Sequence, residues 1–169
     1  MKESIIGYTV YENSNEFLGI ADITLPDIER KSIEIQGAGM NGTVNSPVLG
    51  QVNAMSMTFN FRTHTKEQHS LFEGRVHTLD LREAVQGRNP ITGEVEVTPH
   101  KYVVKVMPTK LSKGKLAPAS TADASGEYAV SYFAEYIAGK KITEIDPYNY
   151  ICIINGIDEL ANVRKALGK

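Results

Sequence analysis

At 169 residues the chain is long enough to bury a sizeable core as one domain, and its 18 basic and 20 acidic side chains leave a net charge of −2. Non-specific nucleic-acid binders neutralise phosphates and carry a clear basic excess, which this chain lacks. The single cysteine, Cys152, excludes an intrachain disulfide and a cysteine-based metal cluster, no apolar run is long enough to span a bilayer, and Met1 to Tyr8 hold no signal-peptide core; a soluble protein made in the cytoplasm, without membrane insertion, is expected.

Residues 3–12 and 16–25 read as strands joined across Asn13-Ser14-Asn15, with Pro26 ending the second. A third strand covers about 29–36. The clearest runs over 53–62, where Met55, Met57, Phe59 and Phe61 fall on one face and Ser56, Thr58, Asn60 and Arg62 on the other. A short helix follows, with Thr65 as its cap, Gln68 at capping-box spacing, Leu71 and Phe72 turned inward and Gly74 as a left-handed stop. Residues 76–86 and 94–107 form a long hairpin turning at 89–93, with Tyr102, Val104 and Val106 opposite Lys101 and Lys105. Residues 110–126, rich in Lys, Ala, Ser, Pro and Gly, read as an exposed loop.

Alternation resumes over 127–138, placing Tyr128, Val130, Tyr132 and Tyr136 on one face with Phe133 and Ile137 opposed. Gly139-Lys140 turns into a strand over 141–146, and 151–154 is another short apolar run. A closing helix is expected, with Asn155 as N-cap, Asp158 and Glu159 in its first turn and Arg164 and Lys165 in its last. Leu160, Val163 and Leu167 supply its apolar stripe, and Gly168 ends it. The sum is a mainly β fold, a sandwich or small barrel with one short internal helix and one C-terminal helix.

One motif invites a misreading. Gly37-Ala38-Gly39-Met40-Asn41-Gly42 spells G-x-G-x-x-G, a dinucleotide fingerprint that works only when a helix opens within it and points its N-terminus at the pyrophosphate. The next residues, Thr43 to Gly50, carry β-branched side chains, Pro47 and no helical period. The stretch therefore reads as a long glycine-hinged loop over about 37–51, with positive φ angles and room for another backbone to approach.

That loop, the segment Ile23 to Lys31, and Leu49-Gly50 leading into Asn53 to Met57 together resemble the major tail tube proteins of contractile-tailed bacteriophages. A second block agrees: Gly139-Lys140, Ile142 to Asp146, Asn155 to Leu160, and Arg164 to Gly168. The tube of a phage-derived contractile bacteriocin is a close variant. The resemblance implies a single tail tube domain over 1–169, a virion structural protein forming hexameric rings that stack into the tube inside the sheath. Its implied partners are further copies of itself, the tail sheath protein, the baseplate hub, the tail terminator and a tape measure protein in the lumen. DNA would pass through that lumen during ejection without sequence-specific binding. Loops of such proteins reach neighbouring subunits, which gives Gly37, Ala38, Gly39, Met40, Asn41, Gly42, Leu49 and Gly50 as interface residues. Met40 offers an adaptable apolar knob and Asn41 an amide able to pair with foreign backbone.

Catalytic chemistry finds no support. The chain has no Gly-x-Ser-x-Gly elbow, no phosphate-binding Gly-Lys-Ser/Thr and no His-Glu-x-x-His. His64 and His69 flank the start of the short helix without a third ligand, and His77 and His100 stand alone, so neither metal nor cofactor is expected. Cys152, between two isoleucines, reads as a small core residue. Lys110, Lys113 and Lys115 read either as a contact for an acidic partner such as the sheath or as a solvated loop. The rival function is a β-barrel module for single-stranded nucleic acid, which needs aromatic platforms interleaved with basic residues on one sheet face. Tyr102 with Lys101 and Lys105 is a faint version whose side chains point to opposite faces.

Overall fold

The computed structural model describes residues 1–16 and 20–169; positions 17–19 of the expected second strand lie outside the described residues. In chain order the elements are β1 (Lys2–Glu12), β2 (Asn15–Glu16), β3 (Ile20–Thr24), β4 (Arg30–Ile35), β5 (Val44–Val52), β6 (Met55–Phe61), α1 (Lys66–Leu71), β7 (His77–Arg88), β8 (Val95–Ser112), β9 (Ala124–Ile137), β10 (Lys140–Asp146), β11 (Ile151–Ile154), β12 (Ile157–Asp158) and α2 (Ala161–Ala166). The fold is mainly β with two short helices, as the alternation in the sequence implies.

Ten strands form one antiparallel sheet in the order β12-β11-β10-β9-β8-β7-β1-β2, and the sheet forks at β9. The first half of β9 pairs with β6, whose other edge takes β3, while the second half pairs with β10. Both branches wrap the same core. Met55, Met57, Phe59 and Phe61 of β6 are buried at every second position, and Leu79, Leu81, Val104, Val106, Tyr128 and Leu71 of α1 join them. Phe59 meets Tyr128 edge to face at 5.1 Å between ring centroids, a geometry that suits the ring quadrupoles. The edges of β1 and β3 approach at Tyr8, whose hydroxyl donates to the Ile20 carbonyl at 3.4 Å, yet among the described residues the two strands do not pair. Strands β4 and β5 form a separate two-stranded sheet.

Several local expectations change. On β9, Tyr132 faces Lys105 while Val130 faces Val106, so Ser131 is bulged out and the side-chain phase flips. Phe133 therefore joins Tyr128 and Val130 in the core, and Tyr132 and Tyr136 turn to the opposite face. A second bulge carries β8 through Pro108, whose missing donor is tolerated there, and on to Ser112, which shortens the expected loop to 113–123. Residues 44–51, expected as loop, are strand β5.

Asn155-Gly156 is a hairpin turn, not a helix start. Its φ angles of 52° and 75° are those of a type I′ turn, and it joins Ile154 to Ile157 across β11–β12. The helix begins later, at Ala161, with no side-chain cap and no buried residue. Thr65 does cap α1, accepting from the Gln68 amide at 3.3 Å. The reciprocal bond is missing: Gln68 is buried instead, its side-chain amide unpartnered among the described residues. Helix α1 stops at Phe72, and Gly74 is not in the left-handed region.

Candidate functional site

Strands β4 and β5 form a ribbon that leaves the main sheet. The register pairs Ile33 with Ser46 and Ile35 with Val44, so Ile33, Ile35 and Val44 share one face. Ser32, Glu34, Asn45 and Pro47 occupy the other. Every residue of β4 is exposed, and Ile33 and Val44 each keep 52% of their surface open. A ribbon with one apolar face and nothing covering it is marginal in water, because two strands alone bury too little.

The tip, residues 36–43, holds a β-turn in which the Met40 amide donates to the Gly37 carbonyl at 3.1 Å. Gly39, third in that turn, sits at φ +93°, which an L residue rarely adopts. Gly37 has no such angle. A Cβ at Gly37, Gly39 or Gly42 would meet nothing within 4 Å, so the tip projects away from its own chain, and Met40 stays exposed. The chain runs from this tip into β5, so no helix N-terminus faces it.

The base is held differently. Between the pairs Arg30–Val52 and Ser32–Pro47, residues 48–51 bulge opposite Lys31 alone. Gly50 in that bulge has φ +65°, and a Cβ there would lie 2.3 Å from Leu160 Cδ2, so this glycine permits close packing on the C-terminal segment. Arg30 forms a two-pronged ion pair with Glu159, at 2.7 and 2.6 Å, and the Asn53 amide donates to the Glu29 carbonyl at 2.8 Å. The Arg30 hydrogen bonds hold the Glu159 carboxyl below its ordinary range. Burial pushes the neighbouring Cys152 thiol up, which suits a core residue and not a nucleophile.

The eight interface residues expected from sequence thus separate into two groups. Gly37 to Gly42 lie at the tip. Leu49 and Gly50 lie at the base, roughly 20 Å of strand away; Leu49 is exposed, whereas Gly50 is turned against Leu160. The apolar stripe Ile33, Ile35, Val44 was not singled out from sequence, although the alternation Ile33-Glu34-Ile35 carried its signal.

Two other features escaped the sequence. Glu12, at the end of β1, is buried with His77: Arg75 donates to its two oxygens at 2.8 and 3.1 Å, and His77 Nδ1 lies 2.9 Å away. Burial pushes the Glu12 carboxyl up, but the hydrogen bonds from Arg75 and His77 outweigh it and hold the group below its ordinary range. The second feature is the outer face of the main sheet. Arg82 covers Tyr11 at 5.1 Å, Lys105 covers Tyr132 at 5.4 Å and Lys141 covers Tyr136 at 5.7 Å. Asp80 pairs with Arg82 and Lys101, and Glu144 pairs with Lys141 and accepts from the Tyr132 hydroxyl. The cations on this face are largely neutralised within it. Tyr102 points to the other side and donates to Glu83 at 3.1 Å. Among the described residues no group of three or more His, Cys, Asp or Glu is placed to hold a metal ion.

Residues 2–168 match the family described as phage tail tube protein FII. The tail tube protein of Escherichia phage P2 is 26% identical over 162 residues, spanning 94% of this chain and 93% of that protein. Two solved structures share the fold. One is the sheath/tube terminator of an extracellular contractile injection system in its extended state, with a TM-score of 0.55, 13% identity and coverage of 79% of this chain and 96% of that one. The other comes from the sheath–tube complex of such a system, with a TM-score of 0.52, 14% identity and coverage of 76% and 87%. With residues 2–168 matched and a phage tail tube protein similar along nearly the whole length, the chain belongs to the phage tail tube protein FII family and is a structural protein of the phage tail tube.

Proposed function

We propose that copies of this chain form hexameric rings that stack into the inner tube of a contractile phage tail, and that DNA passes through the lumen on ejection. The observation that carries this reading is the β4–β5 ribbon, whose apolar face is open to solvent in the isolated chain and whose tip glycines have open space where a side chain would stand. Such a face needs a partner, and a family built on self-assembly supplies one. The tip residues Gly37 to Gly42 and the exposed Leu49 make the subunit contacts, while Gly50 fixes the base from which the ribbon projects. The chain acts as one tail tube domain.

The shared fold with proteins of sheath–tube and terminator assemblies supports a sheath packed outside the tube and a terminator at one end; in this reading a baseplate hub stands at the other. A tape measure protein fills the lumen before ejection. Synthesis in the host cytoplasm precedes incorporation into the virion tail. A bacteriocin tube would use the same contacts without a genome. The rival reading, a single-stranded nucleic-acid module, gains tyrosines on a basic face, but their rings are covered and most of the cations paired, which leaves no stacking platform open.

Electron microscopy of the purified protein at low and high concentration tests the proposal. Rings or stacked tubes with a central channel, countable as sixfold, are expected. Monomers alone, even beside a tail-initiation complex, together with a salt-dependent shift of labelled oligonucleotide, would move the binding module to the front. Gly39→Val should leave the subunit's melting curve within about 1 kcal/mol of the parent while sharply reducing tubes, since an exposed tip relaxes its strain but loses its shape. Normal polymerisation of this variant would count against the tip as a contact.

A further inference from the structure

One end of the core is closed by a segment that buries a polar side chain where an apolar one would serve. Helix α1 has six residues and two buried side chains, Leu71 and Gln68. Gln68 is fully buried, and neither atom of its amide finds a partner among the described residues; the same holds for the hydroxyl of Tyr128. The two groups belong to one end of the sandwich. Phe61 pairs with Ala124 and Phe59 with Gly126, so the exit of β6 toward α1 lies beside the entry of β9. The Tyr128 ring leans back toward that entry, since a Cβ at Gly126 would stand 2.7 Å from its hydroxyl. A buried amide without a partner carries its desolvation penalty and gains no bond in return, so α1 sits closed on an unfavourable anchor.

What holds α1 down lies largely at its two flanks. Before it, the Arg62 carbonyl accepts from the Ala122 amide at 2.9 Å, and His64 Nε2 lies 2.6 Å from the Lys113 carbonyl oxygen. After it, Arg75 donates to both oxygens of Glu12 and to one of Glu73, and His77, where β7 begins, brings Nδ1 within 2.9 Å of Glu12. A six-residue helix has little stability of its own, so these ties and the burial of Leu71 keep it in place. We propose that residues 63–76 are a strap that opens and closes over this end of the core as a local two-state unit, with Glu12 and Arg75 as its latch and the buried Gln68 amide as the group that favours opening. The core strands stay paired in both forms.

Opening gives the Gln68 amide and the Tyr128 hydroxyl to water, which satisfies polar atoms that the closed chain leaves unpaired. Against that stand the exposure of Leu71 and the loss of the bonds from Arg75 to Glu12. Opposed contributions of this kind place an element at the low-stability end of a fold, where it opens without global unfolding. The closed chain hides Leu71, and the open one presents it beside Phe72. A contact that favours either form therefore shifts the balance by its difference in affinity. The strap belongs to the single chain and does not depend on the tube.

Residue-resolved amide exchange on the full chain, kept dilute as single subunits, tests the strap. The amides of Gln68, Phe72 and Glu73 are hydrogen-bonded within the closed segment. They should exchange faster than those of β6 and β9, at a rate that stays constant in low urea, because local opening exposes little surface and global unfolding exposes much. Exchange of these amides in step with β6 and β9, rising from the first addition of urea, would overturn the strap. Gln68→Met keeps the volume and removes the unpaired amide, so protection at Phe72 and Glu73 should rise about tenfold. Unchanged or lower protection would mean that the amide is satisfied in the closed chain, by a bound water for example, and would overturn the proposal. Glu12→Gln weakens the latch and should lower the same protection by about tenfold; no change would reduce the motion to fraying of helix ends and overturn the latch. Ile145→Val trims the buried core at β10 and lowers global stability. It should leave the exchange of Phe72 and Glu73 as in the parent, and acceleration there would place α1 and the core in one cooperative unit, against the strap.

Discussion

Strand β6 and the β4–β5 ribbon follow the same alternation and meet opposite fates. In β6 each apolar residue is sealed under a neighbouring element, whereas in the ribbon Ile33, Ile35 and Val44 face solvent. Period-two alternation therefore specifies a strand with one dry face, but not which molecule covers that face. β6 is covered by its own chain. The ribbon's face is left open by the described residues of its own chain.

The sharpest way to break this contrast is a matched pair of truncations. Phe59→Ala should cost the isolated subunit about 3–5 kcal/mol in urea unfolding, because a fully buried ring leaves a cavity and Tyr128 loses its edge-to-face partner. Ile33→Ala should cost under about 0.5 kcal/mol there, its loss appearing only in assembly. Equal losses would mean the ribbon's face is covered within its own chain.

Next in size is the hinge between the two regions. Gly50→Val places a branched side chain at φ +65° and within 2.3 Å of Leu160 Cδ2, so both backbone strain and overlap act together. A loss of about 2–3 kcal/mol is expected. Adding Leu160→Ala should relieve the overlap but not the strain, so the pair should be less than additive in a double-mutant cycle. Full additivity would show that the ribbon's base does not depend on this packing.

Much of the core side of the contrast was legible. Residues of β6, the Thr65 cap, the turn at 89–93 and the hairpin at Gly139 follow from local pattern and turn chemistry. Most of the departures share one cause, a feature set by a partner strand and not by the segment itself. Ser131 bulges because β8 and β9 keep different registers on either side of it, and no property of Ser131 announces that. Asn155-Gly156 is the exception: the pair carries the type I′ signature itself, while the acidic residues after it mimic a first helical turn. The Glu12–Arg75–His77 group joins residues more than sixty positions apart, beyond any periodicity. At the candidate site the glycines were visible, while the ribbon's apolar face was visible only as strand.

That buried group gives the third test. Glu12 in the fold is held below its ordinary value of 4.5, since Arg75 and His77 outweigh burial. A depressed carboxyl contributes stability that is complete above the unfolded value and is lost as pH falls through the folded one. Glu12→Gln should therefore cost about 1–2 kcal/mol near neutrality, discounted because Arg75 is half-exposed. The gap between variant and parent should close below pH 4.5. A gap that persists in acid would mean the group acts through packing, and the core would then be less dependent on this ion pair than its geometry implies.

The smallest expected effect is the most diagnostic of the ribbon. Arg30 and Glu159 are joined by two hydrogen bonds, but Arg30 is 42% exposed, and water screens such a pair. Arg30→Ala should cost about 0.5 kcal/mol or less in global unfolding. Its effect belongs to the base of β4–β5, where Arg30 ties the ribbon to the turn before α2. Amide exchange along 30–35 and 44–52 should accelerate while exchange in β6 and β9 stays constant, because local opening there does not require the core to open. The variant should also assemble at a somewhat higher concentration than the parent, since a looser ribbon must be ordered on docking and that ordering opposes binding. Uniform acceleration across β6 would instead place the ribbon and the core in one cooperative unit and dissolve the contrast between them.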